Sequence, residues 1–398
     1  MRLSQLGSLL PVGCLVVAVS ACGGDDDPSG SPGGGGAAGS GGAAGAAGSG
    51  GVIDGPPAEG PITKIPKGWN EIAPGGKTAC GRGDKFRFWV RPGAVNRVVV
   101  EFRGGGGCWD GITCHPDSKL FEEKANPEPW VTDEKKAVGI YDHSRADNPF
   151  KDWHHVYISY CTGDVHWGNS TQTYDPGGVF ESTVQHKGAV NAQAALDWVY
   201  ENVPTPDKAL VTGCSAGGYG AAFWSPMVKD HYKSSKIYHF SDSSAGIITD
   251  TFFEKSFPAW NVKETFPSMI GVDPSTFKQL SELYIGIGKK YPDMFLSQFN
   301  TAYDATQAKY FVLMGGKDAT EWSQKMQTSI ADIKTATPTF RSYLGANYQH
   351  CVIDKDSFYD FEVGGQKLVT WLADAVGDKT VKDVSCTYGD CGAPKPAQ

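Results

Sequence analysis

Short apolar runs alternate with longer segments of helical spacing through most of this chain. Residues 86–90 and 97–102 are expected as strands. The second, RVVVEF, is almost continuously apolar, as a buried strand is, and Pro92-Gly93 marks the turn between them. Residues 153–160, 209–213, 236–240, 294–302 and 340–344 carry the same strand signature. Residues 182–202, 217–232 and 322–333 instead repeat apolar positions every three or four residues and are expected as helices. The run YFVLMGG (310–316) is ambiguous, because its apolar content alone suits a strand. Residues 252–291 are rich in aromatics and broken by proline, which suggests helical excursions over a site rather than sheet. Alternating strands and helices predict an α/β three-layer sandwich, a mainly parallel sheet with helices on both faces and a helical cap-like insertion.

The N-terminal part follows a different pattern. Arg2 precedes an apolar stretch, residues 9–21, that is too short to span a membrane as a helix. Val19-Ser20-Ala21-Cys22 has the form of a bacterial lipobox, with small residues directly before a cysteine. It predicts cleavage before Cys22 and a lipid on its thiol. Residues 1–21 are then a lipoprotein signal peptide. Residues 22–60, dominated by Gly, Ala and Ser, form a flexible tether unable to bury apolar surface, and residues 61–398 form one large domain. The protein is expected at the cell envelope, exported and anchored to a membrane through this lipid.

Composition narrows the partners. A net charge of −8 over 398 residues, not gathered in runs, argues against nucleic acid. Of ten cysteines, eight remain once Cys14 and Cys22 are set aside, an even number that suggests disulfides in an exported chain. Cys108 and Cys114 are close neighbours, as are Cys386 and Cys391. The partners of Cys80, Cys161, Cys214 and Cys351 do not follow from spacing. No cysteine or histidine spacing has the form of a zinc site, and no cofactor or metal is expected.

The stretch KALVTGCSAGGY (208–219) carries the candidate chemistry. Gly213-x-Ser215-x-Gly217, between an apolar strand and a helix rich in small residues, has the form of the nucleophile elbow of α/β-hydrolases. A serine on that tight turn stands above the sheet, and the N–H of Ala216 points at a developing oxyanion. After strand 97–102, the run of glycines 104–107 allows close backbone approach to a ligand and would supply the second oxyanion donor, from Gly105 or Gly106. A serine nucleophile needs a base, and the base needs an orienting carboxylate, in the chain order Ser, acid, His. His350, in a loop after the last strand, fits that order. Asp304 and Asp318 both remain open as the acid, and Asp242 is a third candidate. The polar loop after strand 153–160 carries Trp167 and Asn169, expected to rim the site as substrate-binding residues.

Several blocks together resemble the pectin acetylesterase family, which includes Notum deacylases. These are GWNEIAPGGKTACGRGDKFRFWV, EFRGGGGCWDGITC, YISYCTGD, GCSAGG, FNTAYDATQ, NYQHC and KLVTWLADAVGD, in order over residues 68–391. The resemblance implies Ser215, Asp304 and His350 as the triad, with Gly105, Gly106 and Ala216 at the oxyanion hole. It also implies that residues 308–316 are helical. Arg103 departs from the family's glutamate at that position. The expected activity is that of an exported, monomeric serine carboxylesterase that removes O-acetyl groups from polysaccharide. The alternatives are an esterase of fatty-acyl or aryl esters, and a non-catalytic binding protein on a hydrolase fold.

Overall fold

The computed structural model describes residues 55–175, 181–387 and 389–394. Cys22, the expected signal peptide and all of the tether up to residue 54 lie outside the described residues. The fold takes in residues 55–60, since Pro57 bridges Val95 and the Ala58 N–H donates to the Ala94 carbonyl.

Nine strands form one sheet: β1 (Asn70–Ile72), β2 (Phe88–Arg91), β3 (Arg97–Phe102), β4 (His154–Ile158), β5 (Lys208–Cys214), β6 (Lys236–Asp242), β7 (Phe295–Thr301), β8 (Phe340–Gly345) and β9 (Val384–Ser385). Their order is β1-β2-β4-β3-β5-β6-β7-β8-β9. From β4 to β9 every neighbouring pair is parallel, whereas β1–β2 and β2–β4 are antiparallel. This is an α/β-hydrolase-like sheet, as expected. β9 was not anticipated; two residues are too few for a periodic signal.

Helices cover both faces because the central strands are apolar on both. Val98, Val100, Val211 and Leu296 face a core shared with α1 (Gly188–Asn202), α2 (Ala216–His231), α4 (Leu280–Lys290) and α6 (Ala319–Ala336). Their strand neighbours Val99, Leu210 and Phe299 face a second core with α7 (Leu368–Val376). The inserted segment gives α3 (Asp250–Trp260), a helical turn at Val262–Thr265, and α4. Here α4 packs on α6 and α2, so it belongs to a helical layer rather than to a cap.

One local expectation is corrected and one open assignment is decided. Residues 182–202 are not one helix: Ser182–His186 pairs as an antiparallel hairpin with Ser170–Tyr174, and α1 starts at Gly188. The alternating burial of STVQH has the period of a strand, and helix spacing begins only where the Asp164 carboxylate accepts the Gly188 N–H at 2.7 Å. The ambiguous run at 310–316 is no strand. Residues 305–313 form α5 (Ala305–Leu313), capped by Asp304, whose side chain accepts the N–H of Thr306 and Gln307. Tertiary packing settles what apolar content alone left open.

Four disulfides join Cys80–Cys161, Cys108–Cys114, Cys214–Cys351 and Cys386–Cys391. The two pairs of close neighbours are joined as anticipated. The other two bridge 81 and 137 residues, so only the fold brings their partners together.

Candidate active site

Ser215 sits between β5 and α2 with φ 56° and ψ −127°, a conformation strained for a residue with a side chain. The turn is tight because the backbone of β3 presses against it. A Cβ on Gly217 would lie 1.9 Å from the Phe102 carbonyl oxygen, and one on Gly213 would lie 2.4 Å from the same atom. Only glycine fits either flank. The Ser215 N–H donates to the Asp242 carbonyl at 3.0 Å, and the Ser244 hydroxyl donates to the Ser215 carbonyl at 2.7 Å.

Beside it runs the loop after β3, held from several sides. The Glu122 N–H donates to the Gly105 carbonyl, the Tyr160 hydroxyl to the Gly106 carbonyl at 3.0 Å, and His166 Nε2 to the Arg103 carbonyl at 2.9 Å. Burial lowers the His166 pKa to about 4, so its ring is neutral at ordinary pH. The Gly107 N–H is taken by the Leu120 carbonyl. Among the described residues, no backbone carbonyl accepts the N–H of Gly105, Gly106 or Ala216. Gly106 has φ +74°, and an added Cβ there would meet the Leu120 carbonyl oxygen at 2.0 Å.

His350 follows β8 in a loop fixed to the strand ends by Ala302 N–H to Gly345 O, Tyr303 N–H to Asn347 O and the Thr301 hydroxyl to Gln349 O. Its Nδ1 lies 3.0 and 2.9 Å from the two carboxylate oxygens of Asp304. Asp304 is fully buried at the C-terminal end of β7 and also accepts from the Gln307 side chain at 3.0 Å. Burial by itself would lower the His350 pKa. The adjacent Asp304 charge and hydrogen bond, with lesser help from Asp242 and Asp354, raise it above the ordinary 6.5. The other acid candidates are engaged elsewhere. Asp318 caps α6 through the Glu321 N–H at 2.8 Å, and the Asp242 carboxylate binds backbone N–H groups of Val352 and Ile353.

Ser215, Ala216, Gly106 and His350 line one pocket with a cavity of about 80 Å³. Its walls are largely apolar, with Trp109, Trp167, Phe252, Phe257 and Trp260 among them. Trp167 lines this pocket, with its indole N–H donating to the Tyr219 carbonyl. Gly105 is one residue back from the lining. Asn169 lines a separate surface groove with Lys77, Gln193 and Phe266, where its Oδ1 accepts from Lys187 Nζ. Strand alternation does not extend into that loop, so the sequence could not sort the two residues. Two clusters of potential metal donors occur among the described residues, Cys108/Cys114/His186 and Cys214/His350/Cys351. In both, the cysteines are disulfide-bonded and offer no thiolate. Gln307 was missed as a member of the site. It holds Asp304 from within the first turn of α5, and its position three residues after the acid is the signal that was available.

Comparisons with known proteins agree with this architecture. The chain is 27% identical over 97 residues to palmitoleoyl-protein carboxylesterase NOTUM of Schmidtea mediterranea, covering 23% of this chain and 18% of that protein. It is 25% identical over 138 residues to pectin acetylesterase 4 of Arabidopsis thaliana, covering 34% of this chain and 32% of that protein. The matched stretches thus span a third or less of these two relatives. Among solved structures, the Wnt deacylase Notum from Drosophila superposes with a TM-score of 0.58 at 15% identity, covering 79% of this chain and 96% of that one. A second crystal form of the Drosophila protein gives 0.54 at 16% identity. At such identities the structural likeness speaks for the fold, while the pectinacetylesterase family model matches residues 76–357, well over half the chain, and on that match the chain belongs to the pectinacetylesterase family.

Proposed function

We propose that this protein is a serine carboxylesterase acting on esters of short acyl groups, with O-acetylated polysaccharide as the substrate class. The observation that carries the reading is that Ser215, on a strained elbow, and His350, whose Nδ1 is held by buried Asp304, line the same pocket. Asp304 keeps the proton on Nδ1, leaving Nε2 free to accept one. Ser215 Oγ attacks the ester carbonyl and passes its proton to His350. The carbonyl oxygen becomes an oxyanion against the N–H groups of Gly106 or Gly105 and Ala216. Collapse breaks the ester bond, and His350 returns the proton to the leaving alcohol. Water, deprotonated by His350, then attacks the acyl-Ser215 ester and releases the acid.

Chain length is argued from volume. A cavity of about 80 Å³ is roughly half of an engineered apolar cavity that binds benzene. It accepts an acetyl or slightly longer acyl group without rearrangement. The aromatic walls favour a second reading, a fatty-acyl or aryl ester. That substrate would lie against the aromatic side chains of α3, Phe252, Phe257 and Trp260.

Purified protein assayed on p-nitrophenyl esters from two to sixteen carbons, and for acetate release from acetylated pectin and xylan, separates the two. The first reading expects kcat/KM to fall beyond about four carbons, with acetate released from a polysaccharide. A maximum at eight carbons or more refutes it. Export as a lipoprotein anchored through Cys22 belongs to the same proposal and is supported by Val19-Ser20-Ala21-Cys22. Among the described residues no helix is long and apolar enough to cross a membrane.

A further inference from the structure

The tripeptide Asp242-Ser243-Ser244, at the end of β6, touches both halves of the catalytic pair without being either. On one side the Asp242 carbonyl accepts the Ser215 N–H at 3.0 Å, and the Ser244 hydroxyl donates to the carbonyls of Ser215 and Asp242 at 2.7 and 2.9 Å. On the other side one carboxylate oxygen of Asp242 accepts the N–H of Val352 at 2.7 Å and of Ile353 at 2.9 Å. Its second oxygen accepts the Ser243 hydroxyl at 2.8 Å, and Ser243 Oγ in turn accepts the Cys351 N–H at 3.0 Å. The three residues directly after His350 are therefore held by Asp242 and Ser243. The Cys214–Cys351 disulfide ties the residue before the nucleophile to the residue after the base.

We propose that Asp242 is a positioning residue for the hydrolysis: its carboxylate grips the backbone just after His350, while its own carbonyl holds the Ser215 N–H, so that the base is fixed relative to the nucleophile. The inference rests on the Ser215–His350 reading above. Its role differs from that of Asp304, which contacts the imidazole itself. Asp242 is fully buried, and its two oxygens accept three hydrogen bonds, so the geometry suits a carboxylate. Burial pushes its carboxyl up to about 6, against the pull of the two N–H groups, so it is ionised at pH 8. Four charged groups bear on His350, and a fifth bears on one of them. Asp304 comes from the end of β7 and Asp242 from β6. Asp354 and Lys355 come from its own loop, where Lys355 Nζ donates to the His350 carbonyl, and Arg103 reaches Asp354 at 3.9 Å.

The test compares Asp242→Ala, Asp242→Asn and His350→Ala with wild type on p-nitrophenyl acetate, with circular dichroism for folding. At pH 8, Asp242→Ala is expected to lose roughly 10²-fold in kcat with KM within about threefold, the cost of a misplaced base rather than of lost binding. Asp242→Asn keeps an acceptor oxygen for Val352 and Ile353 and a donor for Ser243, so it is expected to retain kcat within about tenfold. Because the Asp242 charge helps to raise the His350 pKa, both variants are expected to move the acidic limb of kcat/KM to lower pH. The split between kcat and KM and the rescue by asparagine report positioning, whereas the limb reports only the Asp242 charge at His350. If Asp242→Ala does not fold, Ser243→Ala, which loses the acceptor of the Cys351 N–H, takes its place and is expected to lower kcat about tenfold with KM within about threefold. Wild-type kcat in the folded Asp242→Ala, or failing that in Ser243→Ala, overturns the proposal while His350→Ala is inactive. Activity in His350→Ala overturns the triad instead.

Discussion

Replacing Asp304 by asparagine tests the assignment of the acid at atomic detail. One oxygen of Asp304 accepts the backbone N–H of Thr306 at 3.0 Å and of Gln307 at 2.9 Å. The other faces His350 Nδ1 at 2.9 Å and the Gln307 side-chain N–H at 3.0 Å. An asparagine must keep its oxygen toward the two backbone N–H groups, since its NH₂ cannot accept them. Its NH₂ then takes the place of the oxygen 2.9 Å from His350 Nδ1, and the Nδ1 proton is left with the oxygen at 3.0 Å that already serves two backbone N–H groups. Gln307 does not relieve this by flipping, because its oxygen is held by the Ala245 N–H and its NH₂ also donates to Asn300. The balance shifts toward the tautomer in which Nδ1 accepts from the NH₂, which moves the histidine proton to Nε2 and removes the base. In another serine hydrolase this change of tautomer costs roughly 10⁴ in kcat, or about 5.5 kcal/mol of barrier. The α5 cap survives, since asparagine caps as well as aspartate. Asp304→Asn is therefore expected to fold with near-normal thermal stability and to lose about four orders of magnitude in kcat on p-nitrophenyl acetate. Asp318→Asn keeps its cap on α6 and is expected to stay within about tenfold of wild type. An Asp304→Asn enzyme within tenfold of wild type, or an inactive Asp318→Asn, refutes the reasoning.

Other outcomes follow from the same geometry. Gly106→Val puts a Cβ against the Leu120 carbonyl oxygen and turns the loop N–H away from the pocket, so kcat should fall by about 10²–10³ or more; full activity moves the oxyanion hole elsewhere. Catalysis needs neutral His350, and its pKa is raised chiefly by Asp304 against the effect of burial, so the acidic limb of the kcat/KM profile should lie above pH 6.5; a limb below that value contradicts the pairing. The Glu101 carboxyl is pushed up to about 8 by burial, so the folded state binds a proton that the unfolded state gives up from its ordinary value of 4.5. Its stabilising contribution is complete below about 4.5 and is lost as pH rises through 8, so Tm of Glu101→Gln should decline less than wild type from pH 6 to 9. Mass spectrometry of the mature N-terminus is expected to find an acylated Cys22; an unmodified terminus or cleavage well downstream excludes the anchor.

The sequence by itself determined the tight turn that carries Ser215. Gly213, Ser215 and Gly217 lie within five residues, and the steric demand that Phe102 places on both glycines is visible as their identity. It also determined the central strands and the parallel sheet, because β3 and β5 carry enough apolar residues in a row to announce burial on both faces. The glycine loop after β3 and the place of His350 after the last long strand were legible for the same reason: each is local to one strand end. Relations between distant segments were decided only by tertiary structure. Asp304 and Asp318 have the same local character, an aspartate at a helix start, and only the packing of the β8 loop against the end of β7 puts one of them on the imidazole. Residues 310–316 were apolar enough for a strand, yet they complete and follow α5 because Asp304 caps it. The grip of the Asp242 carboxylate on the His350 loop spans more than a hundred residues, as does the Cys214–Cys351 bridge. No periodicity encodes such contacts, because they depend on which strand ends the sheet order brings together.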